Sequence, residues 1–169
     1  AKKWMVIRPL FAYGGEGDMN SLIAKSLYAH KNNIKSLDMF LDPKKIKDYM
    51  HVSDYCNAVL IACEKELWFD DYNVASENPH NTREIVQIMS EIDNYDFEQI
   101  INWHPKTDYL GNHILSSLKF RLASGWQPKI NLFDGISDSL FTIQKCDKEY
   151  NPLKYLDEAK ERGVNLADF

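Results

Sequence analysis

The chain opens with an apolar run, Trp4-Met5-Val6-Ile7, that passes through Arg8-Pro9 into Tyr13-Gly14-Gly15-Glu16-Gly17-Asp18 and then into a segment of helical pattern from Met19 to His30. Few folds accommodate that order. A strand feeding a glycine turn that opens a helix belongs to α/β units. It brings backbone N–H groups and the positive end of a helix dipole to one spot that favours anions. Gly14, Gly15 and Gly17 let the chain bend where a Cβ would resist.

Strand and helix patterns alternate from there on. Leu22, Ile23 and Leu27 share one face of the first helix, with Asp18 placed to cap it. Residues 34–40 read as a strand, 43–50 as a short helix, and 58–63 as a near-continuous apolar, buried parallel strand with Cys63 as a core thiol. Asn81 with Glu84 three positions on forms a capping box ahead of a helix whose inner face is Ile85, Val86, Ile88, Met89 and Ile92. Residues 98–103 are a strand and 110–123 a helix stopped by Gly125. Residues 129–133 and 139–143 form two strands joined through Asp134-Gly135, and Asn151-Pro152 starts a last helix that Gly163 ends. The predicted architecture is one α/β domain over residues 1–169. It is a three-layer Rossmann-like or flavodoxin-like sandwich, mostly parallel, with room for an antiparallel edge near the C-terminus.

Composition removes several function classes. A net charge of −5, with no Lys/Arg run longer than two, argues against broad nonspecific nucleic-acid binding. No stretch approaches the roughly 20 consecutive apolar residues of a membrane span. Cys56, Cys63 and Cys146 form neither a CxxC pair nor an even set, which points to a reducing cytoplasm.

In open α/β sheets, ligands gather where loops converge at the carboxyl ends of the strands. Three loops qualify: residues 8–18, the acidic aromatic excursion 64–80, and residues 104–113. On the first, the Gly14, Gly15 and Gly17 amides hold a phosphate and Arg8 forks onto it; pairing of Arg8 with Glu16 or Asp18 is its ordinary alternative. On the third, His104 with Asp108 makes a general base, Lys106 adds a cation, and Asp134 lends a carboxylate to the same cleft or simply forms a turn. His113 and Glu64 are candidate ligands for a divalent metal cofactor.

The turn Gly14-Gly15-Glu16-Gly17-Asp18 is neither GxGxxG nor GxxxxGK[ST]. It resembles the glycine-rich loop at the start of GT-B glycosyltransferases over this segment alone, and the resemblance implies a loop facing a sugar or a nucleotide diphosphate. Gly111-Asn112-His113 copies part of the GNHD/E motif of calcineurin-like phosphoesterases, but Ile114 stands where the acid belongs, so that chemistry is set aside.

Two readings result. In the first, the chain is a small soluble enzyme, a hydrolase or transferase, acting on a phosphate-bearing nucleotide or nucleotide sugar by electrostatic positioning. In the second, it is a noncatalytic, phage-type interaction protein that docks on a host protein through Trp68, Phe69, Asp70, Asp71 and Tyr72.

Overall fold

The apolar start does form a strand, and its parallel partner comes from the segment read as an excursion. The structure, a computed structural model, describes residues 2–14, 21–107 and 111–145. In chain order the elements are β1 (Val6–Pro9), β2 (Ala12–Tyr13), α1 (Leu22–Lys31), β3 (Leu37–Met39), β4 (Ile46–Lys47), β5 (Met50–His51), α2 (Val52–Glu64), β6 (Asp71–Val74), β7 (His80–Asn81), α3 (Thr82–Asp93), β8 (Ile101–Trp103), α4 (Leu118–Ser124) and α5 (Leu132–Lys145). Short 3-10 turns at Phe97–Gln99 and Pro105–Thr107 flank β8.

Strands β1 and β6, β2 and β5, and β3 and β8 pair in parallel, while β4 and β7 are antiparallel. The described chain is therefore α/β and mostly parallel, as its alternating pattern predicts, with the pairing divided into four two-stranded ladders. Helix α3 follows its sequence pattern closely. Asn81 Oδ1 accepts from the Glu84 amide at 2.9 Å, and Glu84 Oε2 accepts from the Asn81 amide at 3.0 Å. Thr82, Ile85, Val86 and Met89 are its buried face, the 3.6-residue stripe that faces a core.

The interior has two hydrophobic clusters. Tyr13, α1, β3, α3, Phe97 and the inner face of α5 build the first. Met50, Ala58, Ala62, Tyr72, Val74, Phe120 and Trp126 build the second. Successive side chains of a strand point to opposite faces. Accordingly Tyr49 belongs to the first cluster, Met50 to the second, and the His51 ring returns to Tyr13 at 5.4 Å between centroids.

Several expectations are corrected. Residues 58–63 lie inside α2: the buried positions Asp54, Ala58 and Ala62 recur every four residues, Leu60 is 61% exposed and Cys63 is exposed rather than a core thiol. A short apolar run does not separate helix from buried strand. Residues 43–50 are not a helix but contribute β4 and β5, held by backbone partners in β7, β2 and the chain at His113. Among the described residues of the helix read at 110–123, those from 118 onward are helical, in α4, and Gly125 ends it as expected, at φ +74°. Residues 98–103 divide into a 3-10 turn and the shorter β8.

The two C-terminal strands are instead the single helix α5, so the antiparallel pairing is β4 with β7 and not a C-terminal edge. Gly135 there is not a turn residue. A Cβ on it would overlap Tyr13 Oη, and the glycine lets α5 seat against that ring. The cap of α1 is Ser21, whose Oγ accepts from the Ala24 amide at 3.1 Å. Asp18, Gly15, Gly17, Asp108, Cys146 and the last helix at 151–163 lie outside the described residues.

Candidate functional site

The residues singled out from sequence are dispersed. Arg8 stands on β1, where its guanidinium pairs with Asp71 and its Nε donates to Asn73 Oδ1 at 3.0 Å, both on β6. The parallel register puts Val6 opposite Asp71 and Arg8 opposite Asn73, so the neighbouring strand answers this charge. His104 follows β8; its Nε2 lies 3.0 Å from Asp38 Oδ1 and its ring stacks on Phe40 at 4.8 Å. Arg8 and His104 thus stand on separate ladders. Lys106 is exposed on a 3-10 turn.

Asp134 occupies the first turn of α5 and neither a hairpin nor the cleft. Its amide donates to Asn131 Oδ1 at 2.9 Å, and its carboxylate accepts from Asn131 Nδ2 at 2.7 Å. Glu64 is exposed at the last residue of α2, not on a strand end, and among the described residues no group of three or more His, Cys, Asp or Glu side chains forms a metal site.

The acidic aromatic segment is largely satisfied within the chain. Tyr72 is buried against Phe120 at 5.5 Å between centroids, which removes it from any docking surface. Asp70 pairs with Lys119 at 2.5 Å and Asp71 with Arg8, Phe69 packs edge-on against Trp4, and Lys3 lies over Trp68.

What converges instead is a set of which sequence reading singled out His113 alone. Lys47 on β4 is opposite His80 of β7 on one side and is bridged to His113 on the other, where the His113 amide donates to Ile46 O at 2.8 Å and the Asp48 amide to His113 O at 3.2 Å. Lys47 is 1% exposed, with its ammonium 5.4 Å from the centre of the Phe11 ring. Phe11 also packs on His113 at 5.6 Å and stacks on Tyr49 at 5.5 Å. The same Tyr49 lines a cleft of about 210 Å³ whose other walls include Ser76, Asn78, Lys129, Ile130 and Asn131. Lys47 is not among the residues that line the cleft; Tyr49 joins the aromatic floor under the ammonium to it.

Buried carboxylates shape the cleft walls. Asp48 accepts from the Ser76 hydroxyl and from the Glu77 amide at 2.9 Å. Burial pushes its carboxyl above the usual range despite those bonds. Asp54 Oδ2 accepts from the Lys129 and Ile130 amides at 3.0 and 2.9 Å, fixing the opposite wall. Behind them, burial raises the Tyr13 phenol well above its ordinary value, and the charges of Asp54, Asp134 and Asp138 raise it further.

Glu77 ties this loop to α4. Burial pushes its carboxyl up, but the Ser117 amide, the Arg121 guanidinium and the Ser116 hydroxyl outweigh that and hold it below the ordinary range. A carboxylate whose folded pKa is depressed adds stability above its unfolded pKa and loses it as pH falls through the folded one. Glu77→Gln therefore costs about 1 kcal/mol at pH 7 for this half-exposed pair. The difference from wild type narrows below pH 4 in urea titrations; an unchanged gap at pH 3 and pH 7 contradicts the ion pair.

The glycine turn has a structural explanation at its one described glycine. Gly14 has φ +97°, and a Cβ there would overlap the His51 ring, with Cδ2 at 2.7 Å. The His51 ring thus explains why position 14 is glycine, and the sequence lacks the GxGxxG fingerprint.

No family model matches the chain. It superposes on dTDP-glucose 4,6-dehydratase from Bacillus anthracis in complex with NAD with a TM-score of 0.76 and 21% identity, covering 88% of this chain and 47% of that one. UDP-glucose 4-epimerase from Thermotoga maritima, with UDP-glucose, gives a TM-score of 0.75 and 24% identity over 85% of this chain and 46% of that one. The fold is Rossmann-like. In sequence, the chain is 28% identical over 96 residues to GDP-L-fucose synthase 1 of Arabidopsis thaliana, which is 56% of this chain and 28% of that protein. It thus spans about half the length of the solved structures and about a third of its curated relatives. Among the described residues no helix is long and apolar enough to cross a membrane.

Proposed function

We propose that this chain forms the sugar-nucleotide-holding part of an enzyme that modifies nucleotide-linked sugars. The phosphates face Lys47, and the organic body lies in the cleft walled by Tyr49 and residues 128–132. The observation that carries this reading is the buried Lys47 ammonium over the Phe11 ring, with Tyr49 stacked on Phe11 and lining the cleft.

The comparisons support it from another side. A dehydratase, an epimerase and a synthase are named for different reactions, yet their names share a sugar carried on a nucleotide: dTDP-glucose, UDP-glucose and GDP-L-fucose. A hydrolase or transferase finds no support among them, nor does a noncatalytic docking protein.

In this reading the chain's own residues bind and orient. Lys47 offsets the phosphate charge, and the aromatic floor excludes water, which strengthens each Coulombic contact. Asp54 and Asp48 hold the two walls at their spacing.

Thermal melts with UDP-glucose, dTDP-glucose and GDP-L-fucose test the reading. A ligand at 100 times its Kd stabilises by about 2.7 kcal/mol, which raises the Tm of a chain this size by about 5–11 °C. Lys47→Met, close in volume, abolishes the shift. Equal shifts in the variant, or none with all three compounds, overturn the proposal.

A further inference from the structure

We infer that the sugar carried on the nucleotide bears a carboxylate, as a hexuronic acid does, and that Lys129 is the residue that selects it. The inference rests on the reading above for the sugar nucleotide and adds which class of sugar the cleft takes.

The lining of the cleft is the first observation. Among the described residues that line it, Lys129 alone carries a charge; the others include the aromatic Tyr49, the uncharged polar Ser76, Asn78 and Asn131, and apolar positions. Lys129 is exposed, and its ammonium has neither an ion pair nor a hydrogen bond among the described residues. Its backbone, by contrast, is fixed. The Lys129 and Ile130 amides donate to Asp54 Oδ2 at 3.0 and 2.9 Å, and Asn131 Oδ1 accepts from the Asp134 amide at 2.9 Å, so the lysine stem starts from a held wall.

The second observation is how few polar groups of the lining remain for a guest. The Ser76 hydroxyl donates to Asp48, and its oxygen accepts from the Asn78 backbone amide at 3.2 Å. The Asn131 side chain is engaged with Asp134 through both its oxygen and its nitrogen. The Asn78 side-chain amide on one wall and the Lys129 ammonium on the other have no such partner. An amide both donates and accepts, which suits the hydroxyls of a sugar ring, whereas an ammonium donates only. The strongest partner for that ammonium is an anionic oxygen.

The chain's own carboxylates do not supply one. Asp48 accepts from Ser76 and the Glu77 amide, Asp54 from the Lys129 and Ile130 amides, and Asp134 from Asn131 Nδ2 at 2.7 Å. Asp134 also stands in the first turn of α5 and offsets the positive end of that helix, so the cation at the cleft is the lysine itself. In the reading above the phosphates face Lys47, which leaves the base or the sugar to meet Lys129. Nucleobases are uncharged at neutral pH. A charge matched to Lys129 therefore comes from the sugar.

Calorimetric titration of the full chain with UDP-glucuronic acid and UDP-glucose tests this, since the two differ only in a carboxylate that replaces a hydroxymethyl group. Wild type binds UDP-glucuronic acid about fivefold more tightly at low salt, the upper end for a partly solvated ion pair. The preference shrinks at high salt. In Lys129→Gln the ratio of affinities falls to about one, and in Lys129→Arg it persists; the position is exposed, so both variants melt as wild type does without ligand. Equal affinities in wild type overturn the inference and leave the proposed function standing. A preference that survives Lys129→Gln does the same, and so does a variant that weakens both compounds alike, which makes the lysine a phosphate contact. Binding of neither compound removes the proposed function and this inference with it.

Discussion

Gly135→Ala lowers the melting temperature by about 6–12 °C. Overpacking a well-filled interior costs about 1–3 kcal/mol, and in a chain of this size each kcal/mol moves Tm by about 2–4 °C. The upper end applies because the obstructing atoms have nowhere to go. The new methyl overlaps Tyr13 Oη and meets Tyr13 Cζ at 2.9 Å and His51 Cδ2 at 3.1 Å. Tyr13 is 1% exposed and its ring is wedged edge-on between Tyr49 and His51. Since α5 packs on both α1 and α3, displacing it loosens the larger cluster as a whole. Calorimetry on Gly135→Ala with and without Tyr13→Phe checks the cause. Removing the hydroxyl restores part of the loss, and a Gly135→Ala protein melting within 1 °C of wild type means that α5 does not rest on Tyr13.

The second large effect is at Asp54. Its Oδ2 gathers the amides of Lys129 and Ile130, and no other element holds that part of the cleft wall by side-chain hydrogen bonds among the described residues. Asp54→Ala leaves two donors without their acceptor at about 1–3 kcal/mol each, partly relieved by water at the exposed Lys129. A total near 3 kcal/mol is expected from urea denaturation. Asp54→Asn, which keeps one acceptor oxygen, falls between the two. Hydrogen exchange separates this from a general loss of stability: the Lys129 and Ile130 amides lose protection before those of α3. Uniform loss across the chain contradicts the local role.

What could be read from sequence depended on how local its cause was. Helix α3 was legible because its cap, its capping box and its apolar stripe all lie within a dozen consecutive residues. Gly125 was legible for the same reason, since a helix stop is a single backbone conformation. Helix α5 was misread because Gly135, which within a strand-like pattern signals a turn, is there to admit a tyrosine more than 100 positions away. Helix α2 was misread because Val59-Leu60-Ile61 satisfies strand and helix alike, and burial of Ala58 and Ala62 alone decides between them. The candidate site fared worst. Residues 43–50 read as a short helix, and the neighbours of Lys47 on either side, His80 and His113, are set by strand register. At the Gly14 turn the described glycine meets the His51 ring, while Gly15 and Gly17 lie outside the described residues.

The alternation of Tyr49, Met50 and His51 across β5 has a consequence for the kinds of change this chain tolerates. Tyr49 and His51 meet Tyr13 on one side and Met50 enters the other cluster, so the wall between the clusters is defined by parity and not by side-chain chemistry alone. Substitutions at 49–51 disturb one pocket at a time. Deleting a single residue anywhere between Lys47 and His51 inverts the parity, sending an imidazole toward Phe120 and Trp126 and a thioether toward Tyr13, so the shortest loss of length here is worse than any single exchange of side chain.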